Sequence, residues 1–359
     1  MLKKSVSLVS VLLLAIVAVV GQTSIAKADD NLNCQDYSLP VTLSAIDPTV
    51  YHISGQFCAQ GSAQGKTVQI LVHGFTYDHN YWDFPMQPGI YSYVRHATGV
   101  GYATFNYDRP GVGQSDHPLS TNVSVDSNAF VLRQLVQGLR SGSIAGQSFS
   151  KVVTVGHSEG SGIALIEASR YADVDGIILS DFLHTFSATG AGAFFAALYP
   201  ASLDPKFTQA NLDPGYLTTM PGTRGPVFYN TAVADPNGIA LDGTLKQTGT
   251  ATESATTLET IVPTVSLSVH VPVLLAVGQN DALFCDNLLL SCANDQAVLN
   301  REARDYSSDA CLEVYILPTA GHVINLHPNA HSWFKAAADW VNRRVGVDST
   351  TPATQTCTH

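Results

Sequence analysis

The sequence predicts an α/β fold: a mostly parallel central sheet flanked by helices, with a cap or lid subdomain inserted into it. Three observations predict this. Short runs rich in β-branched residues recur along the chain, helical patterns lie between successive runs, and the rhythm lapses once, between Asp181 and His270. Continuous apolar strands that alternate with helices are the pattern of a parallel sheet covered on both faces.

The chain opens Met-Leu-Lys-Lys, continues through a thirteen-residue apolar run from Leu8 to Val20, and reaches Ala26-Lys27-Ala28. A basic start, a short apolar middle and an A-x-A step have the order of a signal peptide, and the run falls short of the roughly 20 residues a membrane span needs. Cleavage after Ala28 and secretion are expected. The competing reading is a retained anchor helix. No other stretch is long and apolar enough to span a bilayer.

The runs that read as buried strands are Val68 to Val72, Tyr102 to Tyr107, Val152 to Val155, Gly176 to Leu179, Val273 to Val277 and Leu312 to Leu317. Val41 to Leu43 and Val50 to Phe57 alternate better and are expected to add antiparallel strands at one edge. Helices are expected over Asp126 to Leu139, Ser161 to Tyr171 and Pro328 to Arg344. In the last of these, Trp333, Ala337, Trp340 and Val341 recur at the spacing of a single face, which is expected to pack on the sheet.

Residues 185–265 combine many aromatics with Pro and Gly and then a Thr-rich stretch. They are expected to form the cap or lid, and residues 29–184 and 266–359 the sheet domain. A chain of this length exceeds the usual single-core size of about 250 to 300 residues, which also favours one domain with an insertion.

Six cysteines in a chain bound for an oxidising compartment imply three disulfides. Short loops favour Cys34 with Cys58, Cys285 with Cys292, and Cys311 with Cys357. No C-x-x-C or Cys/His cluster at ligand spacing is present, so no metal or cofactor is expected. Three of the 18 basic residues and none of the 29 acidic ones lie in residues 1–28. The remainder is strongly acidic, which disfavours nucleic acid and anionic lipid as partners.

Chemistry is concentrated in Gly156-His157-Ser158-Glu159-Gly160, a G-x-S-x-G step between an apolar strand and a helical pattern. There the serine sits on a sharp turn with its hydroxyl clear of the sheet. A serine hydroxyl needs a base, and the base a carboxylate to orient it. Asp281 follows the strand ending at Val277 and His322 the strand ending at Leu317. Both fall at the edge where open α/β sheets bind ligands.

Here the sequence resembles the α/β-hydrolase superfamily, from about Val68 to the last helix. In that family the acid commonly follows a G-x-x-D turn and the base a G-H step, so the resemblance implies Ser158 as nucleophile, Asp281 as acid and His322 as base. Asp181 is the rival acid, since some members place it there, and His327 the rival base, although its position before Pro328 favours a solvated or capping role. Oxyanion donors are implied at the backbone N–H groups of Glu159 and Phe75, the latter in His73-Gly74-Phe75, where His73 is expected to be structural. Asp108-Arg109-Pro110-Gly111-Val112-Gly113-Gln114-Ser115 looks like the family's turn after the next strand, a scaffold element.

The function expected is hydrolysis of a carboxylic ester of a medium-sized, partly apolar substrate through an acyl-enzyme. An amidase or peptidase uses the same triad. A peptidase that trims free amino termini would want a carboxylate, such as Glu159 or Asp204, to meet the ammonium group. A third reading is a non-catalytic binding protein on the same fold.

Overall fold

A computed structural model describes residues 31–286, 290–353 and 357, and the signal peptide expected over residues 1–28 lies outside them. The described residues from Leu32 onward form one compact unit. Its main strands are β1 (Leu32–Thr42), β2 (Val50–Gln60), β3 (Val68–Val72), β4 (Ala103–Tyr107), β5 (Val152–His157) and β6 (Gly176–Ser180). Three short strands follow, β7 (Leu198–Pro200), β8 (Tyr216–Thr219) and β9 (Gly249–Thr250), and then β10 (Val273–Gly278) and β11 (Glu313–Leu317).

Eight of these make one sheet in the order β1-β2-β4-β3-β5-β6-β10-β11. β3, β4, β5, β6, β10 and β11 run parallel, while β2 pairs antiparallel with β4 and β1 antiparallel with β2. Every residue of β3, β5, β6 and β10 is buried, which is why their sequences lack alternation. From β3 the chain runs to β4 on one side, then returns to β5 on the other. The carboxyl ends of β3 and β5 therefore flank a topological switch point, where such sheets open a crevice.

The expected strands appear within three residues of their predicted ends. β1 is the exception, because it spans eleven residues where alternation predicts only its end. Most of β1 is exposed, and its ladder with β2 rather than any apolar face keeps it extended. Cys34 and Cys58 lie opposite each other in this hairpin and are bonded, and Cys285–Cys292 and Cys311–Cys357 are the other two disulfides.

The helix Val125–Ser141 starts at a capping box in which Ser124 and Ser127 exchange hydrogen bonds, and it ends before Gly142 at φ 83°. In the helix Ala330–Arg344, Trp333, Ala337, Trp340 and Val341 are all buried. Short helices at Tyr93–Gly99 and Asp295–Glu302 were not evident in the apolar pattern.

Between β6 and β10, β7, β8 and β9 form a small antiparallel sheet. Around it lie short helices, among them Ala188–Ala196, Arg224–Phe228, Pro236–Leu245 and Ala251–Thr256.

Candidate active site

Ser158 stands at the end of β5 with φ 53° and ψ −120°, a conformation that costs a non-glycine residue on the order of 1–3 kcal/mol. Its N–H donates to Ser180 O at 2.8 Å, and its carbonyl accepts from Ser161 N–H at 2.9 Å. These bonds hold the turn. The flanking glycines are sterically required: a Cβ on Gly156 would lie 2.4 Å from Ser161 Cα, and one on Gly160 would lie 2.2 Å from Val72 O.

His322 Nε2 lies 2.8 Å from Ser158 Oγ, and His322 Nδ1 lies 2.9 Å from Asp281 Oδ2. Asp281 and His322 ride on the loops after β10 and β11, which touch through backbone. Asn280 N–H donates to Ala320 O at 2.7 Å, and a Cβ on Gly278 would sit 2.1 Å from Gly321 O. That close approach requires glycine at 278, and a Cβ on Gly321 would lie 2.6 Å from Asn230 N, which requires glycine before His322. The other oxygen of Asp281 accepts Leu283 N–H at 2.8 Å, which fixes the carboxylate plane. The imidazole of His322 stacks between Phe228 and Phe284, at centroid distances of 5.8 and 5.9 Å.

Ser158 opens into a cavity of about 380 Å³. Its lining includes Phe75, Phe182, Leu283 and Phe284 together with Phe186, Ala191, Phe194 and Leu258. Phe75 and Glu159 share this lining with Ser158. Glu159 is the first residue of the helix Glu159–Tyr171, where N–H groups have no intrahelical acceptor. Among the described residues, no acceptor takes the backbone N–H of Phe75 or of Glu159. The arrangement can therefore deprotonate a hydroxyl beside an apolar cavity and offer free amides to a developing negative charge.

A profile of the alpha/beta hydrolase family matches residues 69–330. The chain belongs to the alpha/beta hydrolase family. A comparison with curated protein sequences finds no match. Among solved structures, the hydrolase resembles an esterase from Thermogutta terrifontis with a TM-score of 0.56 and 17% identity, over 85% of this chain and 98% of the other. A monoglyceride lipase from Saccharomyces cerevisiae gives 0.58 and 16%, over 85% and 94%. A meta-cleavage product hydrolase from Pseudomonas fluorescens gives 0.54 and 14%, over 81% and 94%. Such identities establish a shared fold.

The rival residues of this hydrolase have other partners. Asp181 accepts the N–H groups of Gly278 at 3.0 Å and Ile324 at 3.3 Å, and thereby ties together the loops that carry Asp281 and His322. Burial, and then the neighbouring Asp281 carboxylate, push its pKa well up. His327 is not solvated; it closes the short turn Ile324–Leu326 as its C-cap. It is fully buried, its Nε2 accepts from Gly321 N–H at 3.0 Å and Asn230 N–H at 3.3 Å, and its Nδ1 donates to Val323 O. His73 is also buried, with Nε2 accepting Arg109 N–H at 3.0 Å, and its burial lowers the pKa to about 3.

The two carboxylates considered as ammonium acceptors are engaged within the hydrolase. Glu159 Oε2 receives Arg109 Nη2 at 2.8 Å, and Asp204 is bound by Lys246 and Tyr199. Arg109 also bonds Glu253 of the inserted segment at 2.5 Å. Burial, and then Glu253, raise Glu159 to about 8 against the pull of Arg109. This buried network and the aromatic clamp on His322 have no local signature, since the partners lie far apart in sequence.

Three ionisable groups near the serine, Asp181, Asp281 and His322, are engaged by the chain itself. Asp181, Asp281 and His322 have ligand atoms within 4.8 Å of one another, but their oxygens already accept from backbone N–H groups and from the imidazole. All six cysteines are in disulfides.

Proposed function

We propose that this hydrolase is a secreted serine esterase that cleaves neutral, largely apolar carboxylic esters. The observation that carries this reading is the continuous relay Ser158–His322–Asp281, with links of 2.8 and 2.9 Å, opening into a cavity walled by phenylalanines.

In this mechanism Ser158 Oγ attacks the ester carbonyl while His322 Nε2 takes its proton. Asp281 holds the Nδ1–H tautomer and stabilises the imidazolium. The N–H groups of Phe75 and Glu159 bind the oxyanion. Collapse expels the alcohol, which receives the proton from His322, and leaves an acyl group on Ser158. Water, activated by the same histidine, then hydrolyses it. An esterase and a monoglyceride lipase among the structural neighbours fit this reading.

The cavity also favours an ester over an amino-terminal peptide substrate. Removal of an aminoacyl group needs an acceptor for the ammonium ion, and the carboxyl groups of Glu159 and Asp204 are already hydrogen-bonded to Arg109 and Lys246. A wall of phenylalanine and leucine offers an ammonium ion no hydrogen-bond acceptor to offset its desolvation. Residues 185–265 act as the cap that supplies half of this wall. Export follows from the signal peptide expected over residues 1–28, and the three disulfides suit an oxidising compartment.

The test is turnover of p-nitrophenyl acyl esters against aminoacyl and peptidyl nitroanilides, by the wild type and Ser158→Ala. Ester turnover that disappears in the variant is expected. Turnover confined to the anilides would transfer the assignment to a peptidase. Amino-terminal sequencing of the exported protein should begin at Asp29.

A further inference from the structure

We infer that Arg109 is the positioning residue of the oxyanion hole: it holds both donors from behind the cavity and links them to the cap. The inference rests on the esterase reading for what the donors do, but the placement of Arg109 does not.

Arg109 sits in the turn after β4 and its side chain is wholly buried. Its Nη2 lies 2.8 Å from Glu159 Oε2 and 3.3 Å from Gly74 O. The Gly74 carbonyl belongs to the same peptide unit as the Phe75 N–H. One guanidinium nitrogen thus grips the side chain of one donor residue and the peptide of the other. A cation on the oxygen of a peptide polarises the N–H at its far end, so the contact sharpens Phe75 as a donor as well as placing it. The Arg109 N–H adds a third hold by donating to His73 Nε2, directly before Gly74.

On its other side, Nη1 bonds Glu253 Oε1 and Asn128 Oδ1. Glu253 belongs to the helix Ala251–Thr256, whose Ser254 and Ala255 line the cavity. A planar fork with donors on both arms is what this position uses, and a lysine ammonium cannot span it. A buried ion triad by itself is weak evidence of stabilisation. Its convergence on both donor peptides is what points to positioning.

The test uses Arg109→Lys and Glu159→Ala. The second leaves Arg109 balanced by Glu253, so charge pairing inside the protein survives. Three quantities are read: kcat on p-nitrophenyl butyrate per Ser158 titrated with a fluorophosphonate, inhibition by an alkyl trifluoromethyl ketone, and amide hydrogen exchange at Phe75 and Glu159. Loss of one oxyanion donor costs about 100- to 1,000-fold in kcat, so a misplaced donor is expected to cost about 10- to 100-fold. KM should stay within about twofold, ketone inhibition should weaken by the same factor as kcat, and exchange at the two amides should quicken. Unchanged kcat per titrated site in Glu159→Ala overturns the proposal, whatever Arg109→Lys does. A wild type that neither turns over esters nor takes the label defeats the esterase reading instead. Exchange then decides the placement alone, and unchanged exchange in both variants overturns it.

Discussion

Asp181 and Asp281 each bring a carboxylate oxygen within 4.8 Å of a ring nitrogen of His322, and Asp281 makes the bond, at 2.9 Å to Nδ1. Asp181 instead takes two backbone N–H groups, one from each neighbouring loop. Two similar residues at one imidazole thus have different work, set by which loop carries them. Asp281→Asn is expected to lower kcat by about 1,000- to 10,000-fold, since the wrong tautomer is held. Asp181→Asn keeps an acceptor for one loop and should cost less than about tenfold. Steady-state kinetics on p-nitrophenyl butyrate separates the two, and equal losses would contradict the division.

Glu159 gives stability a pH dependence of defined sign. Its folded pKa is raised from the ordinary 4.5 to about 8, first by burial and then by Glu253, so the folded state prefers the protonated form. That contribution is fully present below pH 4.5 and is lost as pH rises from there through about 8. Urea midpoints measured from pH 5 to 9 should fall more steeply for the wild type than for Glu159→Gln. Parallel curves would show that Glu159 ionises normally.

His327 is a clasp in this account, not a base. His327→Ala leaves the N–H groups of Gly321 and Asn230 without their acceptor, at about 1–3 kcal/mol for the buried Gly321 N–H and less for the half-buried Asn230. A lowered unfolding midpoint with a drop in kcat of no more than about tenfold is expected, whereas His322→Ala should abolish turnover. Complete loss of activity in a folded His327→Ala protein would reopen its claim as base.

The cavity wall is expected to select the acyl chain length. Phe186 stacks on Phe284 at 4.7 Å between centroids, and both line the space in front of Ser158. Phe186→Ala should enlarge it, raise KM for acetyl and butyryl esters and shift the preferred acyl chain longer. A profile that does not move would place the acyl chain elsewhere.

Much of this architecture is legible in the chain because it is local. The elbow at Gly156 to Gly160 is readable since its two glycines face clashes within a few residues or with the adjacent strand end. The buried strands announce themselves as mostly apolar runs rich in β-branched residues. β1 hides most of its length because exposed polar residues such as Gln35 and Asp36 can lie in a strand that needs only a partner. The small sheet of β7, β8 and β9 is invisible for a related reason: strands of two to four residues carry no periodicity. Arg109 reads as part of a glycine-rich turn, and only the fold brings Glu159 and Glu253 to its two arms.

The most direct test of the central claim is the fate of Ser158 itself. The purified protein is treated with a fluorophosphonate, digested and mapped by mass spectrometry, with Ser158→Ala and His322→Ala beside it. One adduct is expected, on the peptide that holds Ser158, with label and ester turnover lost together in both variants. An adduct on another residue, or ester turnover at the wild-type rate in Ser158→Ala, would contradict it.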